Sequence, residues 1–171
     1  MKNIIKIVFV ILLFSSCKTE VEHRIVKSID LEGRKVEMPN FDELVQGKSY
    51  LPVYSHIYHR YEDRTFDLTI TVSIRNITTT DSIYILKADY FNTDGDNIRQ
   101  YIQEPICLKP LETVEIVIAE EDKEGGSGAN FVFDWAVKND KNPPLFEAVM
   151  ISTNGQQGLS FSTRGLQIFE K

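Results

Sequence analysis

His56 and His59 carry the most versatile chemistry in this chain, because imidazole ligates transition metals and changes charge near neutral pH. They sit among Tyr54, Tyr58 and Tyr61. Residues three apart on one strand point to opposite faces, so joint metal ligation needs a turn or bulge between Ser55 and Arg60. The remaining histidine, His23, lies upstream in a polar segment, so the folded body cannot supply three. Structural histidines at a strand end are the expectation. A second reading of the same segment places Tyr54, His56 and Tyr58 on one strand face, as a row able to stack on a sugar or a partner protein. Tyr54, His56, Tyr58 and His59 are therefore the candidate ligand-binding residues.

Other motifs carry less. Asn92, Asp94 and Asp96 place oxygen atoms at alternate positions around Gly95, a faint likeness to a calcium loop. Gln103 stands where the bidentate glutamate belongs, and Glu104 comes one residue late. Asp94-Gly95 between two strands reads first as a hairpin turn with glycine at positive φ. Gly125-Gly126-Ser127-Gly128 lacks the Lys-Ser/Thr ending of a phosphate-binding loop, and Glu120, Glu121, Asp122 and Glu124 repel phosphate. With so many like charges and glycines between two strands, Glu120 to Ala129 is expected to be mobile and protease-sensitive. No His follows Cys107, which excludes a cupredoxin-like copper site, and two cysteines cannot build a zinc site of paired Cys-x-x-Cys type. There is no Gly-x-Ser-x-Gly elbow. No cofactor is expected, and a hydrolase with an unfamiliar site is the enzymatic alternative.

The elements that must position these residues are strands. From Thr65 to Asn76, Phe66, Leu68, Ile70, Val72 and Ile74 alternate with polar residues, the period of a half-buried antiparallel strand. Runs of the same kind cover Ser82 to Phe91, Asn97 to Ile102, Ile106 to Leu108, Glu112 to Ala119, Asn130 to Val137, Leu145 to Thr153, Leu159 to Arg164 and Leu166 to Phe169. Between them stand turn formers such as Asp94-Gly95, Lys109-Pro110 and Pro143-Pro144. Short strands at this spacing, without crossover helices, predict an all-β antiparallel β-sandwich, immunoglobulin/fibronectin-like, behind a short N-terminal tether. Pro110 is expected at the first position of its strand, Trp135 in the core with Phe131, Phe133 and Val137, and Cys107 buried as a small hydrophobe.

Several runs are shared with a known family. Tyr50-Leu51-Pro52-Val53-Tyr54-Ser55-His56-Ile57-Tyr58-His59, Asp81-Ser82-Ile83-Tyr84-Ile85, Gly125 to Phe131, Glu147-Ala148-Val149-Met150 and Gly155-Gln156-Gln157-Gly158 together resemble the bacterial domain of unknown function 3124 family. The resemblance covers about Ser49 to Ile168. It implies an exported protein, often with a lipoprotein signal, and brings no activity with it.

The N-terminus agrees with export. Lys2 and Lys6 precede an apolar run from Ile7 to Phe14, then Ser15, Ser16 and Cys17. That run is far shorter than the roughly 20 residues of a membrane-spanning helix. Leu13-Phe14-Ser15-Ser16-Cys17 resembles a bacterial lipobox, which implies cleavage before Cys17 and lipidation of its thiol. Lys18, where an inner-membrane retention signal has Asp, resembles outer-membrane sorting. The expected organisation is a signal peptide over 1–16, lipidated Cys17 and tether over 17–48, and a sandwich domain over 49–171. Without Lys2 and Lys6 the 19 basic residues become 17, against 25 acidic, so the mature net charge is near −8. Such a body repels nucleic acid and anionic headgroups. The function expected is that of an envelope lipoprotein, held to the membrane by its lipid, that binds or scaffolds an envelope protein or glycan. A carbohydrate-binding accessory role is the nearest alternative.

Overall fold

Alternation commits every second side chain of a strand to a shared core, and a computed structural model shows where those faces meet. It describes residues 31–38, 43–139, 141–153 and 158–169. Residues 1–16, expected to be a signal peptide, and Cys17 and His23 lie outside them. The strands are β1 (Val45–Pro52), β2 (His56–His59), β3 (Tyr61–Asp67), β4 (Thr69–Arg75), β5 (Ile83–Phe91), β6 (Asn97–Ile102), β7 (Ile106–Leu108), β8 (Thr113–Ile118), β9 (Asn130–Val137), β10 (Leu145–Ser152), β11 (Leu159–Arg164) and β12 (Leu166–Ile168).

They form an antiparallel β-sandwich. One sheet has the order β12-β1-β9-β5-β6, with β7 also on β5, and the other has the order β11-β10-β4-β8. Among the described residues β2 and β3 pair only with each other. The adjacent pairs β4–β8 and β5–β9 match the B–E and C–F pairs of an immunoglobulin sandwich. The flanking places are filled in a different chain order: β1 lies beside β9, where the last immunoglobulin strand lies, and β10 beside β4, where the first does.

The core is aromatic at its centre. Phe131, Phe133 and Trp135 are all buried on one face of β9. Phe133 stacks on Phe146 of the opposite sheet with ring centroids 4.2 Å apart, and Phe131 stacks on Tyr90 at 4.8 Å. The Trp135 indole N–H donates to Ser49 Oγ at 3.0 Å, which satisfies its one buried donor. Its ring lies over Gly47, the residue opposite it on β1, where a Cβ would come within 2.2 Å. At one end of the sandwich Asn76, also buried, donates to the carbonyls of Asp81, Leu108 and Lys109, and so ties β4, β5, β7 and β8 together.

Four expectations change. The alternating run from Thr65 to Asn76 is not one strand: Leu68 leaves the ladder, its N–H donating to Ser55 O at 2.9 Å, and the chain passes there from the β2–β3 pair into the sandwich. The domain boundary at Ser49 falls inside β1, and residues before it are docked too. Leu31 packs on the core, Arg34 pairs with Glu112 at 2.9 Å, and Lys35 bridges to Ile106. Cys107 is half-buried and turned away from the core, since its neighbours Ile106 and Leu108 are the buried ones. Pro110 sits in a turn ahead of β8, followed by Leu111 at φ 61, a left-handed conformation uncommon for a leucine.

Gly47→Ala is expected to destabilise the protein by about 1 to 3 kcal/mol, because the added methyl must displace the indole. Urea unfolding reads this as a lower midpoint at unchanged slope; a wild-type midpoint would show that the indole does not lie across β1.

Candidate functional site

The chain leaves β1 at Pro52 and is held at once by the loop before β9. Val53 N–H donates to Ala129 O, and Ser55 N–H to Gly126 O, both at 2.9 Å. Ser55 is wholly buried, and its hydroxyl shares a hydrogen bond of 3.1 Å with the Tyr90 hydroxyl. Because Leu68 donates to Ser55 O, one residue fixes both the start and the end of the β2–β3 excursion. Burial pushes the Tyr90 phenol up to about 12 and raises that of Tyr101 as well, so both hydroxyls stay protonated at neutral pH. Gly125 makes room for this contact: a Cβ there would stand 1.9 Å from the Tyr90 oxygen.

From that base β2 and β3 extend as an arm. Tyr61 to Thr65 are five successive exposed residues, so β3 is wet on both faces. Pairing runs His56↔Asp67, Ile57↔Phe66, Tyr58↔Thr65 and then His59↔Tyr61. One step along β2 thus spans four along β3, and Glu62 to Arg64 bulge out of the ladder. A bulge re-aims side chains and interrupts the edge that another strand could use. Arg60 completes the tip at φ 63, left-handed without being glycine. Around it Tyr58 and Tyr61 are 61% and 67% exposed, and with Arg60 and Glu62 they line an open concavity of about 780 Å³.

The four candidate residues therefore do not converge on one site, though His56 and Tyr58 stay in contact. Tyr54 turns toward the sandwich, its ring edge-on to Phe161 at 5.7 Å. His56 meets Tyr58 edge-on at 6.1 Å, while His59 lies over Phe66 at 4.3 Å. The bulge needed to bring the histidines together is present, yet His59 uses it to reach Phe66. Among the described residues no three His, Cys, Asp or Glu side chains are grouped to hold a metal ion. Tyr58 is the candidate that reaches the tip concavity; Arg60, Tyr61 and Glu62 join it without having been expected. Tyr61 had a visible signal in the local run of tyrosines. Arg60 had none, since its backbone conformation follows from the bulge.

The two other motifs lie at the same end of the sandwich. In the β5–β6 turn, Asn92 Oδ1 accepts from the N–H groups of Asp94 and Asp96 at 3.0 and 2.8 Å, and Gly95 has φ 86. The oxygen that a calcium ion would need is thereby engaged in closing the turn. Residues Glu120 to Ala129 were expected to be loose, and they are held. Thr93 N–H donates to Gly125 O, Gly128 N–H donates to Thr93 Oγ1 at 2.9 Å, and a short 3-10 turn spans Gly126–Gly128. Arg99 pairs with Asp122 at 2.6 Å and Glu124 at 2.8 Å, and Lys123 pairs with Asp67 of β3 at 2.6 Å. Arg99, distant in the chain, thus offsets the charges of Asp122 and Glu124, Lys123 ties the segment to β3, and the glycines serve close backbone approach.

The family model described as protein of unknown function, DUF3124, matches residues 46–168. No curated protein matches the chain. The crystal structure of Thermotoga maritima 1070 is similar over 70% of this chain and 92% of that one, at 7% identity and a TM-score of 0.44.

Arg99→Gln should release Asp122 and Glu124 and open the segment to trypsin at Lys123. The wild type should resist under the same conditions. Equal cleavage of both would show that the loop does not depend on this clamp.

Proposed function

This chain belongs to the DUF3124 family, and we propose that it is a non-catalytic binding module of the bacterial envelope, anchored by lipid on Cys17 and engaging its partner through the tip of the β2–β3 arm. The observation that carries the reading is the convergence at the tip: a bulge, a left-handed Arg60 and two exposed tyrosines surround one concavity. Sparsely populated backbone conformations persist where the surroundings impose them, and ligand clamps are a common place for them. The tip offers stacking surfaces and opposite charges with water at every group, whereas catalysis draws on groups held away from water.

The address supports the same role. Several acyl chains anchor a protein stably where one does not. No helix among the described residues is long and apolar enough to cross a membrane. An acidic body would not adsorb to anionic headgroups by itself, so the lipid would hold it. Lys18 favours the outer membrane. Since Leu31 packs on the core, the chain from Cys17 to that point spans at most about 50 Å, which bounds how far the docked lead-in stands from the bilayer.

Whole cells carrying a photo-crosslinking amino acid in place of Tyr61 test both halves. Crosslinks to a defined envelope component should exceed those from the same group placed at Glu115 on the outer sheet face, and the protein should fractionate with membranes. Cys17→Ser should abolish lipid labelling and leave an unprocessed or released protein. Equal crosslinking from the two positions would remove the arm from the proposal. Normal processing with membrane retention after a carbonate wash, in Cys17→Ser, would remove the anchor.

A further inference from the structure

We propose that the concavity at the arm tip is a saccharide site: Tyr58 and Tyr61 stack on pyranose faces while Arg60 and Glu62 hydrogen-bond to ring hydroxyls, the ligand being a short neutral glycan. This rests on the binding reading above and names the ligand of the same site.

Size speaks first. A stable protein interface engages about 20 to 30 residues a side, whereas pockets for small molecules run from about 300 to 1,000 Å³. The concavity is open to solvent, its lining among the described residues is Tyr58, Arg60, Tyr61 and Glu62, and its volume of about 780 Å³ lies in the second range. The irregular ladder also disfavours an extended peptide, because β3 presents a bulge rather than a flat edge for strand addition.

The chemistry of the lining points the same way. A pyranose has one face of C–H groups and a rim of hydroxyls, and it needs an apolar platform beside donors and acceptors in close succession. Tyrosine rings supply the platform with little side-chain entropy to lose. The Arg60 guanidinium is a planar set of donors and the Glu62 carboxylate a planar pair of acceptors, so vicinal hydroxyls can meet both. Their charges cancel. An anion would face Glu62 and a body of net charge near −8, and a cation would face Arg60. A neutral ligand meets neither penalty. The bulge and the left-handed Arg60 bring these four residues to one side of the arm tip.

Saturation-transfer NMR on the mature lipidated protein in a sugar-free detergent tests this, irradiating aromatic protons. The probes are cellotriose, maltotriose, triacetylchitotriose and, as the anionic comparison, trigalacturonate. Transfer is expected to the ring C–H protons of at least one neutral trisaccharide and not to trigalacturonate. Tyr58→Ala and Tyr61→Ala should each weaken binding by roughly tenfold with an unchanged unfolding midpoint, since both rings are exposed. Tyr58→Phe, which keeps the platform, should retain it. Absence of transfer to all three neutral sugars, or transfer that survives loss of both tyrosines, overturns the assignment. A tip-directed crosslink to an envelope protein with no sugar binding would overturn the saccharide site and leave the binding module standing; failure of both would end both.

Discussion

The hydrogen bond between Ser55 and Tyr90, sealed from water at one end of the sandwich, is the contact on which the functional end of this protein depends. A two-stranded hairpin is marginal in water on its own, and β3 is exposed on both faces for most of its length. Its order must come from its base. Ser55 supplies that base with three groups at once: its N–H binds the loop before β9, its carbonyl receives the chain returning from β3, and its hydroxyl reaches β5. A buried hydrogen bond contributes a net 0.5 to 1.5 kcal/mol or so, but one orphaned partner costs about 1 to 3, so the arrangement is held more by what breaking it would expose than by what it gains.

Three loops share this anchorage. The β5–β6 turn is hydrogen-bonded to the glycine segment through Thr93, that segment to the arm through Ser55, and the acidic residues between them to Arg99. Lys123 then reaches Asp67 on the arm itself. These ion pairs are partly exposed, so each contributes little alone; their effect lies in fixing the loop over which the arm emerges. Asn76 closes other loops around carbonyls in a comparable way. The aromatic core between the sheets leaves both ends free to be built from polar contacts.

Much of this was legible in the amino-acid order and some was not, for identifiable reasons. β5 to β12 fall within a residue or so of the alternating runs, because one sheet face is buried and turn formers punctuate the strands. Trp135 was readable as core by the same parity. So in principle was Cys107, which must face out if Ile106 and Leu108 face in. The break at Leu68 was hidden, since an apolar residue in register looks like more strand; only Ser55, thirteen positions earlier, makes it a crossing point. Counting charges between Glu120 and Ala129 suggested mobility because the groups that hold the segment, Arg99 on Asp122 and Glu124 and Asp67 on Lys123, are remote in sequence. The tip itself was half visible: the tyrosines announced an aromatic cluster, but a bulge has no residue code, and it decides which rings meet the solvent together.

Amide hydrogen exchange followed by NMR tests the anchored base most directly. The N–H groups of Ser55, Leu68 and Thr93, which bind Gly126, Ser55 and Gly125, should be protected together and exchange in one cooperative opening, slower than Tyr61 to Thr65 at the arm's exposed end. Exchange of those three amides at the rate of an unstructured chain would contradict the account, because the arm would then have no fixed base from which to present its tip.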